Sequence, residues 1–391
     1  MMRKLAALSL ATLMLVLAGC GGTKPAPAPT GAGAEQPKAA PAKTKEVEIA
    51  IVGPLSGDYA VVGQQFKEGA ELAFSAVNEA GGVNGVTFKL VTYDDRANAT
   101  EATNIARRLA GNDNVLAVIG HYTSGTVFAA QGIYDQAKIP HFTPSASHPD
   151  LTKKGTYTFR MWSSIGEYQP QGAEYAVKKL GMKKQAIIYA NNDWGKASYD
   201  AWTAKVKELG GEVVLTEKIL DGDKDFKSQL TKVQNSGADS LVLLTYYTEG
   251  ALLSSQARTM GIQLPIAGSG TFLEPEFLKI AGKAAEGIIF NTEFHEGKPD
   301  KTVQEFVKLF QSKSPGKEIK IYHPTSYDAA RLIIDAVKAN GADREKIRSH
   351  IVKLKDFPGV TGAYTFGEAR DPKKENVFVI IKDGKFQYHG N

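Results

Sequence analysis

Short apolar runs alternate with amphipathic stretches along most of the chain. VEIAIVGPL, TFKLVTYDD and VLAVIG have strand length, and between them QQFKEGAELAFSAVNEAGG and ATEATNIARRLAGND place apolar residues at helical spacing. The order is βαβαβ. Strands apolar throughout, joined by helices, predict a parallel sheet covered on both faces. The unit continues through TSGTVFAAQGIYDQAK and HFTPSAS, and after residue 165 the alternation restarts. EYQPQGAEYAVKKLG, QAIIYANN, KASYDAWTAKVKELGG, EVVLTEKI, DFKSQLTKVQNSG and SLVLLTYY predict a second sheet. ALLSSQARTMG, PIAGSG, EPEFLKIAG and GIIFNTEF close it, and two helices, KTVQEFVKLFQSK and TSYDAARLIIDAVKAN, follow with no strand between them. The pattern predicts two doubly wound α/β lobes.

The first residues follow another grammar. In MMRKLAALSLATLMLVLAGC, Arg3 and Lys4 precede an apolar run, and Leu17-Ala18-Gly19 precedes Cys20. This predicts a secretion signal over residues 1–19, with an apolar run too short to span a bilayer and no later segment that would. Cys20 is the only cysteine, so no internal disulfide is expected. Residues 20–45, largely Pro, Ala, Gly, Thr and Lys, lack the apolar side chains a core needs and predict a disordered tether. The folded part is expected from Glu46, long enough for two domains.

Charge narrows the function. The formal net charge of +5 falls to about +3 once Arg3 and Lys4 are removed, and no basic stripe of the kind nucleic acids require is present. Enzyme motifs are also missing. GPLSGDYAVVG lacks the G-x-G-x-x-G spacing, the compact GSG at Gly268 is not followed by a patterned helix, no G-x-S-x-G occurs, and His295-Glu296 has no second histidine. No cofactor, metal or catalytic machinery is expected.

In open parallel sheets ligands sit beyond the carboxyl ends of the strands, where strand order reverses. The turns expected there, GPLSGDYAVVG, GHYTSGT, TPSASHPD, TYYTEG and GSGTF, are rich in Ser, Thr, Gly and Tyr. Backbone amides and hydroxyls at helix N-termini hold carboxylates well. Ser124 and Thr126 stand at the start of one helix, as caps or as ligand groups; Ser145 and Ser147 share a turn that serves structure or ligand equally. Tyr122, Trp162, Tyr246 and Tyr322 are candidate walls for an apolar side chain, or core residues.

Many segments together carry a family likeness: GPLSG, NEAGGVNG, Asp94-Asp95, IGHYTSG, the P-x-x-S-x-P-x-LT segment, Phe159-Arg160, Asp193 and Gly195, Asp225-Phe226, Gly237-Ala238-Asp239, Tyr246, Gln256-Ala257-Arg258, IAG-x-x-AEG and TSYDAA. From Glu46 onward the chain resembles the leucine/isoleucine/valine-binding protein family, and Leu-Ala-Gly-Cys resembles a bacterial lipobox whose cysteine is acylated. The resemblance implies the type I periplasmic-binding fold. Its lobes would comprise residues 46–164 plus 292–366 and residues 165–291 plus 367–391, with crossings near 164, 292 and 366. It further implies that Ser124, Ser145 and Ser147 bind a ligand α-carboxylate, that Tyr246 lies near the α-ammonium, and that Tyr322 flanks the ligand side chain. Where the family carries an acidic partner for the ammonium, this chain has Gly270. That leaves Glu167 or Glu249 for the role, or a ligand without an ammonium. Val62 stands where an aromatic often lies.

The implied protein is a monomeric, lipid-anchored extracytoplasmic receptor of an ABC uptake system that captures an amino acid with an apolar side chain, with permease and ATPase subunits as partners. A non-amino carboxylate, aromatic acid or amide is the alternative ligand. A sensory module of the same fold is the alternative role, and the absence of an output segment after FVIIKDGKFQYHG favours transport.

Overall fold

The computed structural model describes residues 44–390. The expected leader, Cys20 and nearly all of the tether lie outside the described residues.

The first sheet contains β1 (Lys45–Gly53), β2 (Val86–Asp94), β3 (Val115–Gly120), β4 (His141–Thr143) and β5 (Thr158–Arg160) in the order β2-β1-β3-β4-β5, all parallel. Strand β1 begins one residue before the expected Glu46. Its side chains alternate between two cores, as the period of a strand requires. Val47, Ile49 and Ile51 join the cluster that includes Val62, Phe66, Ala70 and Phe74 of α1 (Ala60–Glu79). Ala50 and Val52 join the cluster formed with Ala102, Ala106 and Leu109 of α2 (Ala99–Ala110) and Ala130 and Tyr134 of α3 (Ser124–Gln136). The short helix α4 (Leu151–Lys154) leads into β5.

From β5 the chain crosses through residues 161–164 into α5 (Ile165–Lys178) and a second sheet. That sheet has β6 (Lys184–Ala190), β7 (Glu212–Ile219), β8 (Ser240–Leu244), β9 (Ile266–Gly268) and β10 (Ile289–Thr292), interleaved with α6 (Asp193–Glu208), α7 (Lys227–Gln234), α8 (Tyr247–Thr259) and α9 (Pro275–Ala281). Strand β6 splits its residues as β1 does: Ala186 and Ile188 face the large core, while Ile187 and Tyr189 face Ala173, Ala176, Trp202 and Val206 of α5 and α6.

After β10 the chain returns through α10 (Lys301–Lys313), α11 (Tyr322–Asn340) and α12 (Arg344–Lys353). Helix α11 packs along α1, and Arg344 of α12 bonds the carbonyls of Val115, Asn112 and Ala137 at the base of the first sheet. A third passage leads to β11 (Val377–Lys382) and β12 (Lys385–Gly390), which join the second sheet antiparallel, giving β12-β11-β10-β9-β8-β6-β7. The second lobe is therefore parallel except at this hairpin, whose tight Asp383-Gly384 turn allows antiparallel pairing without a crossover helix.

The passages meet in a buried ionic cluster. Lys374 is fully enclosed, with Nζ 3.2 Å from Glu293, bonded to Met161 O and Thr361 Oγ1 at 2.6 Å, and 3.9 Å above the Tyr364 ring. Glu293 in turn accepts from Ser163 N at 2.6 Å. Residues of all three connections are tied together at one point.

Candidate functional site

Strand order reverses between β1 and β3 in one sheet and between β6 and β8 in the other. The loops after these strands face one another across a cavity of about 380 Å³. Its wall takes Asp58 and Tyr59 from the loop after β1, Arg96 from the loop after β2, Thr123 and Gly125 from the start of α3, Asn192 and Trp194 from the start of α6, and Tyr246 from beyond the end of β8. This is the crevice that doubly wound sheets offer to ligands.

The loops are shaped by the motif residues. Asp94 accepts hydrogen bonds from Leu55 N, Ser56 Oγ and Arg96 N, which fastens GPLSG to the end of β2. Asp95 is buried and lies 2.6 Å from His121 Nδ1, while His121 Nε2 lies 3.0 Å from Tyr134 Oη. The IGHYTSG turn is thereby held against α3.

At the start of α3 the Thr123 hydroxyl accepts from Thr126 N, and the Thr126 hydroxyl donates to Thr123 O at 2.8 Å. Thr126 touches the cavity, but its hydroxyl is taken up by this capping box. Of the first-turn amides, those of Ser124 and Gly125 have no intrahelical acceptor and make up the positive end of the helix dipole. Ser124 Oγ accepts from His148 N at 3.3 Å.

The paired serines diverge. Ser145 Oγ donates to Tyr122 O at 2.7 Å and so serves its own lobe. Ser147 Oγ accepts from the indole N–H of Trp194 at 3.1 Å, a bond between the lobes. Trp194 stacks on Tyr246 with centroids 5.0 Å apart and planes 19° apart. Trp194 is not among the residues the sequence alone points to, although its neighbours Asp193 and Gly195 are. Its signal was an aromatic side chain on the first turn after a strand, just behind the cap Asn192.

The candidate aromatics form one continuous group. Tyr59 meets Tyr122 at 5.5 Å and Tyr246 at 5.4 Å, Tyr122 meets Tyr322 at 5.8 Å, and Tyr322 meets Trp162 at 6.1 Å. Tyr122 Oη is buried without a hydrogen-bond partner.

The acidic candidates separate sharply. Glu167 is exposed on the first turn of α5, 3.6 Å from Lys373, and is not brought to this wall. Glu249 is 1% exposed. Its Oε1 accepts from Tyr59 Oη at 3.0 Å and Gly222 N at 2.9 Å, and Oε2 has no partner. Burial raises its carboxyl above the ordinary range, against the pull of those donors. Gly270 opens a short 3₁₀ turn in which a Cβ would stand 2.9 Å from Asn291 O. Backbone crowding explains glycine there.

Four residues beyond Gly270 a buried acid appears that the sequence reading did not single out. Glu274, just before α9, accepts from Gln65 Nε2 of α1 at 2.7 Å, and Gln65 Oε1 accepts from Tyr322 N at 2.9 Å. Tyr247 Oη adds a further bond between lobes, to Asp58 O at 2.7 Å.

Two α/β lobes whose switch-point loops close on one cavity define a solute-binding protein of type I periplasmic-binding architecture. The chain belongs to the periplasmic binding protein family, whose model matches residues 46–383. It is 29% identical over 350 residues to Leu/Ile/Val-binding protein homolog 1 of Brucella abortus, covering 88% of this chain and 93% of that protein. The leucine binding protein of Thermotoga maritima is 30% identical with a TM-score of 0.82, covering 88% of this chain and 98% of that one. The branched-chain amino acid transporter substrate binding protein of Streptococcus pneumoniae, solved with isoleucine, is 29% identical with a TM-score of 0.82, covering 89% and 100%. Among the described residues no helix is long and apolar enough to cross a membrane.

Proposed function

We propose that this chain is the extracytoplasmic receptor of an ABC uptake system and binds an amino acid with an apolar side chain between its lobes. The lobes are taken as residues 46–164 plus 292–366 and 165–291 plus 367–391. The observation that carries the ligand class is the charge of the wall. On one lobe the N-terminal turn of α3 and Arg96 bring positive charge to the wall beside Asp58, while Asp193 and Asp221 line the other, with the partly unpartnered Glu249 behind them, bonded to Tyr59 of the wall. That polarity suits a zwitterion. A lone carboxylate would leave the acids of the second lobe without a cation, and burying an unpaired charge costs several kcal/mol. Glu249 serves as the ammonium partner that Gly270 does not provide, Ser147 and Trp194 join the carboxylate side, and Tyr59, Tyr122, Tyr246, Tyr322 and Trp162 surround the side chain. The relatives named for leucine, isoleucine and valine support the same class.

The ligand links two sets of contacts that only the closed lobes present together, which is the differential contact closure requires. The closed form is then read by permease and ATPase subunits. A lipid on Cys20 and the following tether keep a monomeric receptor at the membrane surface, two or more acyl chains sufficing for stable anchoring. No chemical step is assigned to the site.

Thermal-shift titration of residues 46–391 tests the reading. Leucine, isoleucine or valine should raise the melting temperature, because a ligand of the native state stabilises it. Their deaminated acids and benzoate should not. Stabilisation by the acids alone would refute the amino-acid assignment, and Glu249→Gln should weaken leucine binding at least about tenfold.

A further inference from the structure

Glu274 has a setting unlike that of the other acids. It is fully buried, comes from the second lobe, and its carboxyl has its single hydrogen-bond partner, Gln65, on the first. Its second oxygen is buried and bonded to nothing. A carboxylate ion so placed would be unpaired, since Lys320, the cation whose charge reaches it, is engaged elsewhere: its Nζ lies 3.1 Å from Glu276.

The groups around it are accounted for. On α1, Glu68 pairs with His323 at 3.2 Å and Lys317 at 3.0 Å. From α8 and α11 the neighbours are the neutral phenols of Tyr247 and Tyr322. On α9 the charged neighbour is Glu276, which opposes a second negative charge. Burial, only partly countered by the Gln65 bond and Lys320, pushes the Glu274 carboxyl up to about 8 from an ordinary 4.5. The cover that buries it includes Gln65 and Tyr322 of the opposite lobe, so parting the lobes admits water to it.

Resting on the receptor reading above, we infer that Glu274 couples cleft closure to proton uptake, so that the receptor closes over its solute by binding one proton and loosens its hold as the surroundings become alkaline. The sign follows from linkage. The closed state, with the raised value, holds a proton that the open state has lost between about 4.5 and about 8. The contribution to closure is complete below that window and is lost as pH rises through it.

Titration calorimetry with leucine, whose own charge is constant in the range used, tests this in the wild type and in Glu274→Gln. Wild-type affinity should fall by up to about tenfold per pH unit between about pH 5.5 and 7.5, the limit for one proton. The Glu274→Gln protein should bind with a flatter profile. At pH 7, wild-type binding measured in buffers of different ionisation heat should take up close to one proton, a readout that needs no variant. Equal pH slopes in the two proteins, or no proton uptake by the wild type, would overturn the inference while leaving the receptor intact. Failure of leucine and its relatives to bind at any pH would instead overturn the receptor reading.

Discussion

Ser145 and Ser147 are separated by one residue and have different duties. The Ser145 hydroxyl is spent on Tyr122 O, so Ser145→Ala should lower stability by about 1 kcal/mol with affinity unchanged, as paired thermal melts and titrations would show. Ser147→Ala should do the reverse, weakening leucine binding several-fold because its hydroxyl faces Trp194 across the lobes. If the two variants behave alike, the division is wrong. The sequence marks this turn as polar and places it beyond a strand, but hydroxyl direction depends on backbone torsions that one chain's pattern does not encode. Trp194 escaped notice for a related reason: an aromatic on a first helical turn reads as packing, and only the facing lobe reveals the indole N–H as an interlobe donor. Glu274 reads as an ordinary polar residue ahead of Pro275, and its burial arises from α1, more than 200 residues earlier.

The repeating elements were legible because both cores obey the two-residue period. Val47, Ile49 and Ile51 against Ala50 and Val52 is a division visible in VEIAIVG alone. Helix α12 was missed because it is short and buries only Ile347 and Ile351, too little amphipathic signal for its length. The C-terminal hairpin is not legible as a pair, because apolar VFVIIK resembles the buried parallel strands before it. The third connection conceals the element with the largest predicted effect on stability. Lys374→Met would leave Glu293 and Met161 O without their cation, and breaking one partner of a buried pair typically costs about 3 to 5 kcal/mol. Thermal melting should show a loss of that order. A neutral substitution would mean that water enters the cluster and takes over the role of the ammonium.

At the scale of the whole molecule, polar contacts join one lobe to the other: Trp194 to Ser147, Tyr59 to Glu249, Tyr247 to the Asp58 carbonyl, Gln65 to Glu274 and Lys320 to Glu276. A small solute that adds its own bonds to both sides shifts the balance toward closure. The pattern of these contacts was not readable from sequence. The positions of the loops were, because strand order fixes where crevices form, but which side chains reach across depends on how far the lobes close. The most direct test is a crystal structure of residues 46–391 grown with leucine. The account predicts its carboxylate about 3 Å from the Ser124 or Gly125 amides and its ammonium about 3 Å from Glu249. Leucine held by one lobe alone, or with its ammonium remote from Glu249, would contradict it.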